Sequence, residues 1–451
     1  MICLLVSSLL SQATTLIVRF QQVNDVVLVD EAIALDREAL RLSGSHPERS
    51  AILVRLASHL LCRFAQLGGI DGLDEIVALA REALALCSPA DANRSILSSI
   101  LANCLAARYK QLGQTEDIEE AIVLERNALA LRPRGHPYRS MSLNDLALHL
   151  TTRYRWLGKF DDLREALILC REALTLCPPG HEGRSKSLST LAYNLCVRYD
   201  LLGGIDDLLE ATRLSRDALA LRPPGHPSRA LSLNNLAFYL STRYVRLGRI
   251  GDLDEAIELS RNVLELSPPG HSRRSAALSN LAAYLANRYD RTRGIGDLNE
   301  AIELSRGALA LCPPGHPGRS VPLNNLLNQL SRRFRRLRGI SDLNEAIDLC
   351  RGALALCPLG HPNQFVSLNN VAVRLAARYQ RLGGIRDIDE VLELSRSALV
   401  LRPQGHPQRS SILNNLVFFL STRYRQLGAN SDFIEAVGLS RWSSSAGTDR
   451  H

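Results

Sequence analysis

The chain has 451 residues, with 54 Lys or Arg against 46 Asp or Glu and a formal net charge of +8. Aromatic residues make up 5%, too few for one thick core, and no aromatic ladder interleaves with the basic positions as single-stranded nucleic-acid binding would require. Length alone would suggest about three globular domains, but an internal repeat overrides that estimate.

In chain order, residues 1–22 (MICLLVSSLLSQATTLIVRFQQ) come first and are strongly apolar. They lack the basic start and small-residue cleavage site of an export signal. Broken by Ser, Gln and Thr, the run is also too short to span a bilayer. Arg19-Phe20 precedes Glu31-Ala32 by the same distance as Arg243-Tyr244 precedes Glu255-Ala256. The segment therefore reads as a worn first helix, with 1–46 as a degenerate N-terminal repeat or cap. Units 48–92 and 93–137 diverge most: Ile76 replaces a second-helix Ala, and SPADANRS replaces the PPGH linker. From Pro137 to Arg441 the units are nearly regular, so 47–441 reads as one repeat array. His46, His136, His181, His226, His271, His316, His361 and His406 recur every 45 residues, or twice 45 where Asp91 takes the His position. A period of this size marks a stacked repeat architecture.

The clearest copy runs from Pro227 to His271 and predicts two helices. Leu231, Leu233, Leu236, Ala237, Leu240 and Tyr244 form one helical stripe. Pro227 suits the first turn, and Gly248 suits a left-handed C-terminal residue. Asp252 followed by Glu255 has the spacing of a capping box opening the second helix. Its stripe is Ala256, Ile257, Leu259, Val263, Leu264 and Leu266, and Pro268-Pro269-Gly270 ends it. No stretch alternates with period two long enough to be a strand. After Arg441 the pattern stops in mid-helix, where Trp442-Ser443-Ser444-Ser445 replaces an apolar turn and leaves 442–451 as a divergent tail. A solenoid needs a polar closing element, so this end reads as a frayed helix or as a truncated form open to end-to-end self-association.

At the residues NNLA…Tyr…Leu-Gly…EAI…AL…L-Pro the unit resembles a tetratricopeptide repeat, although that repeat is usually about 34 residues long. The extra residues fit one more turn of the first helix and two longer loops. The linker GHP followed by LNNLA is similar to the long repeats of kinesin light chains. The array also looks like those of basidiomycete proteins that carry a caspase-like CHAT domain further along. The resemblance implies an all-α solenoid of about ten antiparallel helix pairs wound as a right-handed superhelix. It also implies a non-catalytic scaffold that takes up peptides or partner domains in a concave groove. The alternative is the sensor array of a CHAT peptidase whose catalytic domain is absent here, so no catalytic Cys or His carries over.

The charge imbalance is almost entirely arginine, since Lys occurs only at Lys110, Lys159 and Lys186. The arginines recur at fixed phases, Arg243, Arg288, Arg378 and Arg423 in one row and Arg261, Arg306, Arg351 and Arg396 in another. They alternate with acidic second-helix starts and read as inter-unit ion pairs, which leaves nucleic acid an unexpected partner. Cys87, Cys177, Cys312 and Cys357 share a phase held elsewhere by Arg132, Arg222, Ser267 or Arg402. Stacked positions lie beyond the roughly 7 Å Cα reach of a disulfide, so these read as free thiols in a reducing cytoplasm. Cys170 and Cys177 with His181, and Cys350 and Cys357 with His361, have no constant ligand pattern, so no metal is expected.

No phosphate loop, dinucleotide fingerprint, HExxH or nucleophile elbow is present, and the linker histidines stand alone in their loops. The expectation is no enzyme and no cofactor, and what remains is a surface. Tetratricopeptide arrays often use an Asn in the motif matching NNLA to hold a peptide backbone. By resemblance those positions are Asn235, Asn280, Asn325, Asn370 and Asn415, with Asp145 and Thr190 earlier. An Asn amide both donates and accepts, so it could equally knit neighbouring first helices. One turn on, the residue varies through Leu148, Tyr193, Phe238, Ala283, Asn328, Val373 and Phe418. Phe238, Asn328 and Phe418 join the five asparagines as candidate peptide contacts.

Overall fold

The computed structural model describes residues 2–23, 26–44, 49–67, 72–88, 93–271, 273–355, 364–401 and 409–445. They divide into two compact units, Met1–Arg273 and Arg274–His451. The first holds α1 (Ile2–Val23), α2 (Val26–Ser43), α3 (Arg49–Leu67), α4 (Leu73–Leu86), α5 (Arg94–Leu112) and α6 (Thr115–Ala130). It continues with α7 (Arg139–Leu157), α8 (Phe160–Thr175), α9 (Arg184–Leu202), α10 (Ile205–Ala220), α11 (Arg229–Leu247) and α12 (Ile250–Glu265). The second holds α13 (Arg274–Thr292), α14 (Ile295–Ala310), α15 (Ser320–Leu337), α16 (Ile340–Ala355), α17 (Gln364–Leu382), α18 (Ile385–Val400), α19 (Arg409–Leu427) and α20 (Asn430–Ser445). No strand occurs among the described residues. Within each unit successive helices form antiparallel pairs, and each pair packs on the next. The fold is an all-α solenoid of helix pairs.

The packing follows the periodicity with two adjustments. On α11, Leu233, Leu236, Ala237 and Leu240 are buried, while Leu231 is exposed on the opposite face. On α12, Leu253, Ala256, Ile257 and Val263 are buried and Leu266 is exposed, so the stripe begins one turn earlier than expected. Burying such aliphatic side chains contributes roughly 1.5–3 kcal/mol each, and stacking repeats the gain along the unit. At the N-terminus, α1 buries Val6, Ala13 and Phe20 at intervals of seven and packs against α2, so the apolar opening segment is one arm of a helix pair. Among the described residues no helix is long and apolar enough to cross a membrane.

The helix ends correct two expectations. Pro227 is not in the first turn, because α11 starts at Arg229. The His226 ring shapes the turn ahead of it: Nδ1 accepts the Ser228 N–H at 3.0 Å, and the His226 carbonyl accepts the Arg229 N–H at 2.9 Å. His136, His181, His271 and His316 accept the N–H two residues on in the same way. His46, Asp91, His361 and His406 lie outside the described residues. Asp252 opens no capping box either. Helix α12 starts at Ile250, and no side chain caps it. Asp252 sits at the third position with its carboxylate gripped by Arg243 through Nε at 2.7 Å and Nη2 at 2.6 Å, while Glu255 pairs with Arg216 at 2.6 Å.

The same two-point grip, from the end of one helix to the start of the next, joins Arg108 to Asp117, Arg153 to Asp162 and Arg198 to Asp207 in the first unit. In the second unit it joins Arg288 to Asp297, Arg333 to Asp342, Arg378 to Asp387 and Arg423 to Asp432. These first-helix arginines therefore bond chiefly within their own pair. A free guanidinium nitrogen reaches the preceding pair in Arg108–Asp74, Arg378–Asn344 and Arg423–Asp389. Second-helix arginines make the expected inter-unit pairs, such as Arg306–Glu345, Arg351–Glu390 and Arg396–Glu435. These are partly exposed and worth less.

Gly248 takes the left-handed conformation with φ 69° and donates its N–H to the Tyr244 carbonyl at 2.7 Å. At the equivalent ends of α13 and α15 stand Arg293 and Arg338, the positive-φ non-glycine residues among those described, at 60° and 59°. An L side chain there costs about 1 kcal/mol, which the guanidinium recovers in part by lying 5.9 Å from the Tyr289 or Phe334 ring centroid. Replacement by Gly in Arg293→Gly and Arg338→Gly should raise stability by about 0.5 kcal/mol each, read as a higher midpoint in urea. Asp252→Asn should instead cost about 2 kcal/mol, because both partners are about nine-tenths buried. Hydrogen exchange on the α11–α12 amides should speed up, and pairing Asp252→Leu with Arg243→Leu should restore part of the protection.

Candidate functional surface on the first helices

The first helix of each pair turns one face away from the buried stripe. On α11 that face carries Leu231, Asn235, Phe238 and Val245, of which the three apolar side chains are exposed. In the second unit it carries Asn328 on α15, Val373 on α17 and Asn415 and Phe418 on α19, all exposed. Phe238 and Phe418 pack edge-on against Tyr239 and Phe419, with centroids 5.9 and 5.1 Å apart.

The asparagine row is not uniform. Asn235, Asn280, Asn325 and Asn370 are half-buried and Asn415 is exposed. Asn325 Nδ2 donates to the Ser279 carbonyl of α13 at 3.1 Å, a bond that knits two first helices. The Asn370 carbonyl accepts from Arg374 Nη1 at 2.9 Å. In the first unit the preceding residue of the motif does the knitting: Asn144, buried, donates to Ser187 Oγ of α9 at 2.9 Å. Asp145 is buried and pairs with Lys186 of α9 at 2.8 Å.

A second varied row is not apparent from the sequence alone. It lies one residue past the first varied row and is buried: His149, Asn194 and Tyr239 in the first unit, Tyr284 and Gln329 in the second. Thr151 Oγ1 donates to Asn194 Oδ1, and Asn194 Nδ2 to the Thr190 carbonyl at 2.8 Å. Gln329 Nε2 reaches the Ala282 carbonyl at 3.3 Å. The available signal was a polar or aromatic residue recurring at one phase of an otherwise apolar side.

Around α5, α6 and α7 this polar packing includes ionisable groups. Glu125 is fully buried; Ser99 Oγ donates to Oε1 at 3.0 Å, and Oε2 has no partner. The nearby guanidinium of Arg132, also fully buried, is spent on the Ser95 carbonyl and Ser142 Oγ. Burial, aided by the Asp145 charge, pushes the Glu125 carboxyl up to about 7, while burial presses His149 down to about 4. For Glu125 the folded value exceeds the ordinary 4.5. The stability it contributes is therefore full below 4.5 and lost as pH rises through 7. His149 works oppositely, losing stability as pH falls from 6.5 toward 4. Glu125→Gln should therefore gain up to about 3 kcal/mol over the parent at pH 8 compared with pH 5, read from urea unfolding at the two pH values.

In the second unit α17, α18 and α19 leave a cleft of about 310 Å³ on the first-helix side. Ala372, Ala376 and Ala377 of α17 extend nothing longer than a methyl toward Phe419, while Asn369 and Asn415 bring polar groups to its lining. The alanines leave the space open. Asn415 is the sequence candidate that the cleft includes.

Among the described residues no group of three or more His, Cys, Asp or Glu comes together to hold a metal. Cys170 Sγ accepts from Asn194 Nδ2 at 3.4 Å, and Cys177 Sγ from Ser187 Oγ at 3.6 Å. Cys357 and Arg402 lie outside the described residues. Cys62, Cys87, Cys104, Cys170, Cys177, Cys196, Cys312 and Cys350 are free thiols, and burial pushes Cys104, Cys170 and Cys196 up to about 12.

No protein-family model matches the chain, and no curated protein does. Among solved structures, a monomeric IFIT1 mutant with m7Gppp-AAAA is 15% identical, with TM-score 0.54 over 82% of this chain and 74% of that one. The human IFIT1 dimer with m7Gppp-AAAA is 16% identical, with TM-score 0.52 over 91% and 78%. A putative kinesin light chain with nearly identical TPR-like repeats from Podosopora anserina is 23% identical, with TM-score 0.36 over 49% and 96%.

Proposed function

From a chain whose fold is that of the tetratricopeptide-like helical repeats, we propose a non-catalytic protein-interaction scaffold that holds a peptide or partner segment against its first helices. The observation that carries this is the cleft between α17 and α19. Its size is at the low end for small-molecule sites and suits one apolar side chain of a peptide. Asn369 and Asn415 offer donors and acceptors for the peptide groups beside that side chain. A buried backbone amide left unpaired costs about 1–3 kcal/mol, so amides at the rim favour an extended polypeptide over a purely apolar ligand. The likeness to IFIT1 lies in the fold, and the m7Gppp-AAAA of those structures does not carry over.

A displayed library of random peptides panned on the full chain tests the reading. Enriched peptides should share an apolar anchor and lose binding to Ala376→Phe, which fills the cleft, while the melting temperature stays within about 2 °C. Asn415→Ala should weaken the same peptides without loss of stability. Asn325→Ala should cost about 1 kcal/mol of stability, since its amide knits α15 to α13. Failure to enrich any peptide, or undiminished binding to Ala376→Phe, would refute the proposal.

A further inference from the structure

The clasp arginines of the Arg274–His451 unit are ion-paired, but those along one edge of the unit are not. Where α13, α15 and α17 end and turn toward the next helix, Arg291, Arg293, Arg335, Arg336, Arg338 and Arg381 are all exposed. The carboxylates at this end are already taken: Asp290 by Arg332, Asp297 by Arg288, Asp342 by Arg333 and Asp387 by Arg378. Among the described residues none of the six has an acidic partner. Between them stand Leu337 and Leu382, with Leu427 one helix further on, at 57%, 62% and 53% exposure.

The helix dipole favours a basic residue in a last turn, which accounts for Arg291, Arg335, Arg336 and Arg381. It does not account for Arg293 and Arg338. Gly383 and Gly428 end α17 and α19 in the same left-handed conformation without strain. Strained backbone persists where something else is gained, and here two adjacent pairs accept it to place a guanidinium on the same edge.

We propose that this edge docks an acidic polypeptide segment whose carboxylates alternate with apolar side chains. Guanidinium forks match carboxylates two bonds at a time, and the exposed leucines give the apolar side chains a seat. Nucleic acid presents phosphates equally well but gains little from leucine, and no exposed aromatic ring on these three helix ends is available for base stacking. None of the six arginines or three leucines lines the α17–α19 cleft.

The test uses the full chain and fluorescence anisotropy of a short labelled peptide repeating Glu-Glu-Leu. A Gln-Gln-Leu analogue and a single-stranded RNA of equal length are run beside it. The acidic peptide should bind and the Gln analogue should not. Arg293→Gly with Arg338→Gly should weaken binding about tenfold or more while raising the unfolding midpoint, two directions that a merely structural role would not combine. Arg291→Ser with Arg336→Ser and Arg381→Ser, which leaves both strained turns intact, should weaken it similarly, and Ala376→Phe should leave it unchanged. Absence of binding, binding indifferent to both sets, or RNA bound more tightly and lost with the same variants would overturn the proposal.

Discussion

From α5 onward each helix pair depends on one charge-assisted clasp. An arginine near the end of the first helix holds, with two hydrogen bonds, the aspartate nine residues on in the first turn of the second, as Arg243 holds Asp252. The guanidinium fork and the carboxylate are planar, so the pair fixes direction as well as distance. It bridges the turn at which the chain reverses and thereby sets how the two apolar stripes meet. Leu233, Leu236 and Leu240 can face Leu253 and Ile257 only when the two helices stand in that relation. The clasp lies at the margin of the core, where water is mostly excluded and an unmatched charge would be costly.

Most of the secondary structure was legible because it is written in apolar spacing, Gly and Pro, and a repeat states the same message many times over. The errors fell where one residue type serves two purposes. Asp252 and Glu255 have capping-box spacing, but an aspartate in the first turn can satisfy a neighbouring arginine instead of the backbone, and spacing alone does not choose between them. Pro227 reads as helical because nothing in the sequence shows that the preceding His folds its ring back onto the backbone. Leu231 reads as core because a leucine at helical spacing looks the same whether it faces inward or outward.

The candidate surface was less legible. The asparagines were visible as a row, but their individual roles depend on how closely adjacent first helices approach, a distance absent from the sequence. Asn325 is occupied by a neighbour while Asn415 faces a cleft opened by alanines on another helix. The buried row of His149, Asn194 and Gln329 was hidden for a related reason. Asn194 and Gln329 meet partners about one repeat away, Thr151 and the Ala282 carbonyl, so the pairing emerges only once the stacking is known. The template tolerates such divergence because it fixes the clasp and the stripes and leaves the seams between pairs to local chemistry.

From α5 onward the clasp closes within a single pair, across nine residues, and needs no aspartate from another copy; in α3–α4, where Gly72 holds that position, Arg63 reaches Asp30 of α2 at 2.6 Å instead. A block of one full period inserted or excised between equivalent points would bring its own arginine and aspartate and strand neither. The inter-pair contacts, such as Arg351 with Glu390, would re-form with whichever copy came next. A cut out of phase would leave a mostly buried charge unmatched. The architecture is therefore free in the number of its copies and strict in their frame, which makes duplication and loss of whole repeats the cheapest route by which its reach can change.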